Sequence, residues 1–354
     1  MIPSGNPTLE MVAAEAGVSR ATVSRVVNGH ASVAPEAVAA VHAAVARLNY
    51  VPNRVARSLA SRRTDVIALI VPESTSTVFA DPFFAPVVRG VARALAETDF
   101  TLNLLVASET RPEKTRRYLL GGNVDGALVV SHHSGDHSYL GLGDALPIVF
   151  GGRPLNPELE SRHYVDVDNR HAAQSATEYL LGSGRRRVAT IAGPQDMPAG
   201  IDRLAGWRDA VEAVGGDVSL AEHGAFTQQS GAEAVIRLLD RHPASGAGSA
   251  STGSASTGSA GAGFDALFAA NDQMAAGAIQ ALRNRGLSSP ADVAVVGFDD
   301  DAFAATLDPP LTTVRQPATE LGVSMTELLV RLISGEEAPH RTIIPTELVR
   351  RGTA

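Results

Sequence analysis

At 354 residues the chain is too long for one hydrophobic core, and two or three domains of about 100–200 residues each are expected. A hydrophobic fraction of 44% beside 19% charged residues is that of an ordinary globular protein; no apolar run approaches the roughly 20 residues a membrane helix needs, and the N-terminus carries no basic, apolar leader, so a cytoplasmic protein without membrane contact is expected. The absence of cysteine excludes disulfides, thiolate metal sites and a thiol nucleophile, and the net charge of −8, taken whole, argues against nucleic acid.

The distribution of charge reverses that last argument. Up to Arg63 there are seven arginines and three glutamates, a head of +4 on a remainder of −12. A small basic head on an acidic body is the pattern of a protein in which only the head meets phosphate. Within the head, Thr8 reads as the cap of a first helix with apolar positions Leu9, Val12, Ala13 and Ala16. Gly17 supplies the tight turn and Ser19 caps a second helix, Arg20 to Asn28. Its Val23, Val26 and Val27 face inward, whereas Arg20, Ala21, Ser24 and Arg25 face out. A third helix, Pro35 to Leu48, places proline in its first turn and carries a stripe of Val38, Val41, Val45 and Leu48. Pro52 stops the head, and Asn53 can cap a short helix ending near Ala60, too short to be stable alone.

From Asp65 onward, continuous apolar runs alternate with amphipathic stretches. Strands are predicted at 66–71, 101–107, 124–130, 147–150 and 164–167, then at 187–192, 264–269, 292–297 and 311–314, with a strand-like tail at 342–349. Helices are predicted near 85–97, 171–181, 202–214, 231–241, 273–285 and 318–334. The fold class is therefore α/β: a helix-turn-helix head, then two parallel-sheet lobes with a cleft at the carboxyl ends of their strands. Residues 244–263, with STGSA twice in tandem, lack apolar groups and read as a passive, disordered insertion.

Candidate chemistry gathers at the strand ends. Arg203 and Asp299 form a donor fork and a carboxylate suited to sugar hydroxyls. Trp207 reads as packing between helix and sheet. His132, His133 and His137 follow a strand; a single histidine bonding a hydroxyl fits them better than a metal. In Asp299-Asp300-Asp301 one carboxylate is assigned to the ligand and another to a helix cap. No catalytic array, phosphate loop or cofactor motif is present, so neither an enzyme nor a cofactor is expected.

AGVSRATVSRVVNG followed by LNYVPNRVARSLA resembles the lactose-repressor (LacI/GalR) family of bacterial regulators. Later segments resemble it in order: Ala192-Gly193-Pro194, Arg203 to Trp207, Asn271 to Ala275, Val296 to Asp300, and Pro309 to Gln316. The resemblance implies a homodimeric repressor that binds pseudo-palindromic double-stranded operator DNA and has a bilobed body like periplasmic sugar-binding proteins. It implies major-groove reading by Arg20, Ala21 and Arg25, and backbone contacts from Ser19, Thr22, Ser24 and Asn28. It extends the DNA contact to Thr8, Tyr50, Asn53, Arg54, Ala56 and Arg57, with Leu59 as a minor-groove wedge. For the effector site it implies Arg203, Asn271, Asp299 and Gln316, with Phe226 lining the pocket and Phe83 and Phe84 closing the N-lobe wall. The domains implied are a head at 1–52 and a hinge at 53–64. The N-lobe follows at 65–167 plus about 317–342, and the C-lobe at 168–316 plus about 343–354, with crossovers near 166–169, 312–317 and 341–344. The effector implied is a carbohydrate, possibly a β-glucoside. Gln195, Asp196 and Met197 stand where purine-binding relatives carry an arginine, which weighs against the alternative, a nucleobase or nucleoside. A sugar-binding protein without regulatory role is the other alternative.

Overall fold

A computed structural model describes residues 7–27, 32–51, 63–106, 110–142, 145–243 and 262–354. The chain divides into two compact units, 1–64 and 65–354.

The head holds three helices, α1 (Leu9–Ala16), α2 (Arg20–Val27) and α3 (Pro35–Leu48). Thr8 Oγ1 accepts the Met11 N–H, and Gly17 at φ 67° ends α1 in the left-handed region. Ser19 Oγ accepts the Thr22 N–H at 3.1 Å and starts α2. Val12, Val23, Val26, Val41 and Ala44 meet in one core.

In the body, the first lobe contains β1 (Val66–Val71), α4 (Thr75–Ala80), α5 (Phe84–Leu95), β2 (Thr101–Val106), α6 (Pro112–Leu120), β3 (Gly126–Val130), β4 (Ile148–Gly151) and β5 (His163–Val167). The second contains α7 (Asn169–Gly182), β6 (Val188–Ala192), α8 (Pro198–Ala213), β7 (Ala221–His223), α9 (Gln228–Arg241), β8 (Ala266–Ala269), α10 (Asp272–Asn284), β9 (Ala294–Asp299) and β10 (Thr312–Arg315). The chain then returns as α11 (Ala318–Ile333) and β11 (Arg341–Ile344) on the first lobe and ends with β12 (Glu347–Val349) on the second.

The sheet orders are β11-β5-β4-β3-β1-β2 and β12-β10-β9-β8-β6-β7. Among the described residues every strand pairing within these two sheets is parallel except β10 with β12. Runs such as VIALIV in β1 are buried over most of their length because helices cover both sheet faces.

Three differences from the sequence reading have simple causes. The stretch 342–349 is two strands, one per lobe, because Pro345 has no N–H to continue a ladder. The last crossover is therefore at 345–346, and the expected boundary at 342/343 falls inside β11. The helices α4 and α6 and the short edge strand β7 were not predicted, since their sequences carry no sustained apolar period: α4 and α6 each bury one residue, Val78 and Leu119. The disordered-insertion reading of 244–263 falls mostly outside the described residues; its flanks Pro243 and Ala262 pair with each other.

Helix pairs on each lobe touch at backbone distance through glycine. A Cβ on Gly90 of α5 would lie 2.0 Å from the Thr319 carbonyl of α11, and one on Gly277 of α10 would lie 1.9 Å from that of Gln228 in α9. These approaches fix how far the strand ends, and the side chains on them, stand from the neighbouring helix starts.

Candidate functional site

On the head, Arg20, Ala21 and Arg25 are exposed at α2, and Thr22 and Ser24 are half-buried beside them. Arg20 Nε lies 3.1 Å from Glu10, an exposed pair that holds the guanidinium only weakly against a competing base or phosphate. Ser19 and Thr22 share a 2.8 Å hydroxyl contact at the start of α2. Tyr50 turns inward. Asn49, at φ 48°, turns the chain back after α3 and buries the Tyr50 ring in the head core. Asn28, Asn53, Arg54, Ala56, Arg57 and Leu59 lie outside the described residues.

In the body, Phe83, Arg203, Phe226, Asn271, Asp299 and Gln316 all line one cleft between the sheets' carboxyl ends. The geometry changes the part Arg203 can play. Its Nε donates to Asn169 at 2.8 Å, Nη1 to the Ala270 carbonyl at 2.6 Å and to Asp299 at 3.4 Å, and Nη2 to Gln316 at 2.9 Å. Its guanidinium also stacks on Phe298 at 3.6 Å. Asn169 begins the helix after the first crossover and Gln316 lies in the second. Arg203 thus ties both crossover segments to the cleft floor, and most of its donors are already engaged.

Asn271 is engaged as well: its Oδ1 caps α10 at the Met274 N–H and its Nδ2 donates to the Phe226 carbonyl. Phe226 sits at φ 57° and Asp299 at φ 107°, conformations that cost energy for side-chain-bearing residues and cluster at binding sites. Gly193 lies under the Phe226 ring, where a Cβ would come within 2.3 Å of Cζ. The AGP turn thereby sets the height of the aromatic wall.

Several lining groups escaped the sequence reading. Asp81, Asp166, Asn169 and Ser131 come to the cleft from four different elements. Only Asp166 and Asn169 had a signal, their place at a crossover. Asp166 accepts the Arg153 and Val167 backbone N–H groups and the Asn169 amide. Burial raises the Asp166 carboxyl to about 6 and pushes Asp81 and Asp299 up as well, the last against the pull of Arg203. Burial likewise raises Asp301 to about 7. Asp166, at about 6, can both accept and donate, which suits hydroxyls. The aspartate run itself divides otherwise than expected. Asp300 is held by Arg315 and Arg351 and caps no helix; the Asp301 N–H donates to Asp272.

The adjacent histidines have opposite environments. Burial lowers His132 to about 4, and its Nε2 lies 3.2 Å from the Gly152 carbonyl, which requires the neutral Nε2–H tautomer. His133 places Nε2 3.0 Å from Glu73 and Nδ1 2.9 Å from Asp196, and the Glu73 hydrogen bond, against burial and with help from Asp196, raises it to about 9. A histidine-selective NMR titration, assigned with His132→Gln and His133→Gln, should find His132 neutral down to about pH 4 and His133 charged up to about pH 9; two values near 6.5 would contradict both environments.

Residues 8–53 match the family described as bacterial regulatory proteins, lacI family, and residues 177–354 match the periplasmic binding protein-like domain. The HTH-type transcriptional regulator CelR of Thermobifida fusca is 45% identical, over 98% of this chain and 97% of that protein. The ribose operon repressor of Escherichia coli K12 is 31% identical over 98% and 99%. A solved CelR–cellobiose complex superposes with a TM-score of 0.74 at 43% identity, covering 99% of this chain and 100% of that one. The lac repressor dimer bound to operator and the anti-inducer ONPF gives 0.82 at 26%, with 99% of each chain covered. Among the described residues no helix is long and apolar enough to cross a membrane.

Proposed function

The chain belongs to the LacI family of bacterial regulatory proteins, and from that premise we propose that it is a transcriptional repressor whose operator affinity is set by a β-glucoside, cellobiose or a close oligosaccharide. The observation that carries the effector class is the cleft. It sets a single buried guanidinium among buried carboxyls with raised pKa, between the aromatic rings of Phe83 and Phe226. That combination bonds hydroxyls, stacks on an apolar sugar face and repels phosphates and carboxylates. The CelR complex with cellobiose, at 43% identity, supports the same class.

The chain acts as a homodimer in this reading, as the operator-bound lac repressor does, with two heads on half-sites about 34–36 Å apart. Its place is the cytoplasm, on the nucleoid when DNA is bound. Phe83, Asp299, Gln316 and the remaining Arg203 N–H form the ligand contacts, and Asn271 holds Phe226 in position. Effector occupancy changes lobe orientation and acts through the segment Asn53–Ala60 on the grip of the heads, by no more than its differential affinity for the two states.

Calorimetry with cellobiose, ribose and hypoxanthine, paired with gel shifts on a palindromic operator, tests this. Cellobiose should bind and alter the shift; binding of hypoxanthine alone would overturn the sugar reading. On the DNA side, Arg25→Ala should weaken operator binding by about 1–3 kcal/mol, the worth of one bidentate base contact. Leu59→Ala should also weaken operator binding and leave cellobiose affinity unchanged. An unaltered operator affinity in either variant removes that residue from the reading set.

A further inference from the structure

Two ion-pair contacts cross the cleft and converge on one short C-lobe segment. From the N-lobe, His133 reaches Asp196 at 2.9 Å, and the Ser134 N–H donates to the Asp196 carbonyl at 2.8 Å. Arg153, just after β4, forks onto Asp202 with Nε–Oδ2 at 2.8 Å and Nη2–Oδ1 at 2.6 Å. Between these two aspartates the chain supplies Met197, Pro198 and Ala199 to the cleft wall, and directly after them comes Arg203, tied to both crossovers. One run of eight residues therefore carries the closure contacts, part of the wall and the link to the hinges. Neither Asp196 nor Asp202 lines the cleft itself.

We propose that Asp196–Arg203 is a closure clasp: Asp196 and Asp202, gripped by His133 and Arg153, hold the lobes shut and set how tightly a ligand is retained. The four are positioning residues that act through the cleft geometry. His133 has carboxylates on both ring nitrogens only while the lobes are together. Opening removes Asp196 and leaves Glu73, itself bonded by Ser131 at 3.0 Å. Asp136, on the same loop, accepts the His133 backbone N–H and the Tyr139 hydroxyl, and so belongs to both states. His132 and His137 share that loop and move with it, and Asp81, directly after α4, belongs to the N-lobe as well. Among the described residues the carboxylates acting on His133 are Glu73 and Asp196, and of these only Asp196 lies on the other lobe. The imidazolium, raised to about 9, therefore holds its proton more tightly closed than open, and the contact is lost as pH rises through that value.

The Ser134 amide reports the closed state directly, since its acceptor lies on the other lobe. Hydrogen exchange by mass spectrometry on the full chain, corrected for intrinsic rates, should show protection at Ser134 and at 197–203 falling roughly 5- to 150-fold between pH 7 and pH 10, the range of typical coupling between sites. Asp202→Asn and His133→Gln should show a comparable loss already at pH 7, and His133→Gln should lose the pH response. Peptides of β3 serve as a control for global unfolding. Protection unchanged in both variants, or a wild-type pH response equal to that of His133→Gln, would overturn the clasp. Cellobiose as a probe should slow wild-type exchange further and bind Asp202→Asn more weakly. Cellobiose without effect on wild type would count against the sugar reading, which this arm alone rests on, and the clasp is still decided by the pH and variant arms.

Discussion

Replacing Arg203 with methionine should lower the body's unfolding free energy by about 3–5 kcal/mol and abolish ligand binding, because it removes one member of a buried, hydrogen-bonded charge pair. The side chain is 4% exposed and its Asp299 partner 12%, so water cannot replace the lost guanidinium. Four acceptors lose their donor together: Asn169, the Ala270 carbonyl, Asp299 and Gln316. Asp299 can offset part of this by taking a proton, since burial already raises its carboxyl well above the usual range. The neutral acceptors have no such escape, at about 1–3 kcal/mol for each buried group left unsatisfied. Urea unfolding followed by Trp207, the single tryptophan, buried in the same lobe, measures the change. A loss below about 1 kcal/mol would mean that the crossovers do not depend on this residue. Arg203→Lys is the informative companion. It keeps the charge without the planar fork, so it should recover part of the stability and little of the binding.

Gly277→Ala should destabilise the C-lobe by about 3 kcal/mol or more, although alanine is the better helix former by about 1 kcal/mol. The sign follows from the geometry. The new methyl would stand 1.9 Å from the Gln228 carbonyl oxygen, and backbone cannot rotate aside as a side-chain end can. The helices α9 and α10 must separate, and α10 carries Asn271 at its start, so the Phe226 wall should shift and cellobiose binding weaken as well. Gly182→Ala is the control: nothing lies within 4 Å of a Cβ there, at the end of α7, and propensity alone should leave it neutral or slightly stabilised. Equal unfolding midpoints for Gly277→Ala and Gly182→Ala in the Trp207 assay would show that the α9–α10 contact yields without cost.

The division of labour between local and tertiary information follows from these residues. Caps, turns and the apolar period identify α1, α2, α3 and most body strands, because each depends on residues a few positions apart: Thr8 on Met11, Ser19 on Thr22, Gly17 on its own φ. The same locality explains the misses. Nothing in its neighbourhood announces that Asn49 swings Tyr50 inward. The helix α4, rich in serine and threonine, shows no stripe, so Asp81 at its end could not be placed.

For the site, residue types were legible: an arginine, an asparagine, an aspartate and a glutamine in motifs that resemble known ones. Their occupations were not. Arg203 and Asn271 look like ligand donors in a string of letters, yet in three dimensions both brace protein groups, and burial pushes the Asp299 carboxyl up against the pull of Arg203. Sequence alone thus determined the basic head and the two-lobed α/β body, both of which arise from short-range pattern and composition. Only the tertiary structure decided which carboxyls share the cleft, that Pro345 divides the tail between two sheets, and that His133 and Arg153 close on Asp196 and Asp202. Those contacts join residues tens of positions apart, and no local rule constrains a hydrogen bond whose partners meet only when two sheets have formed and come together.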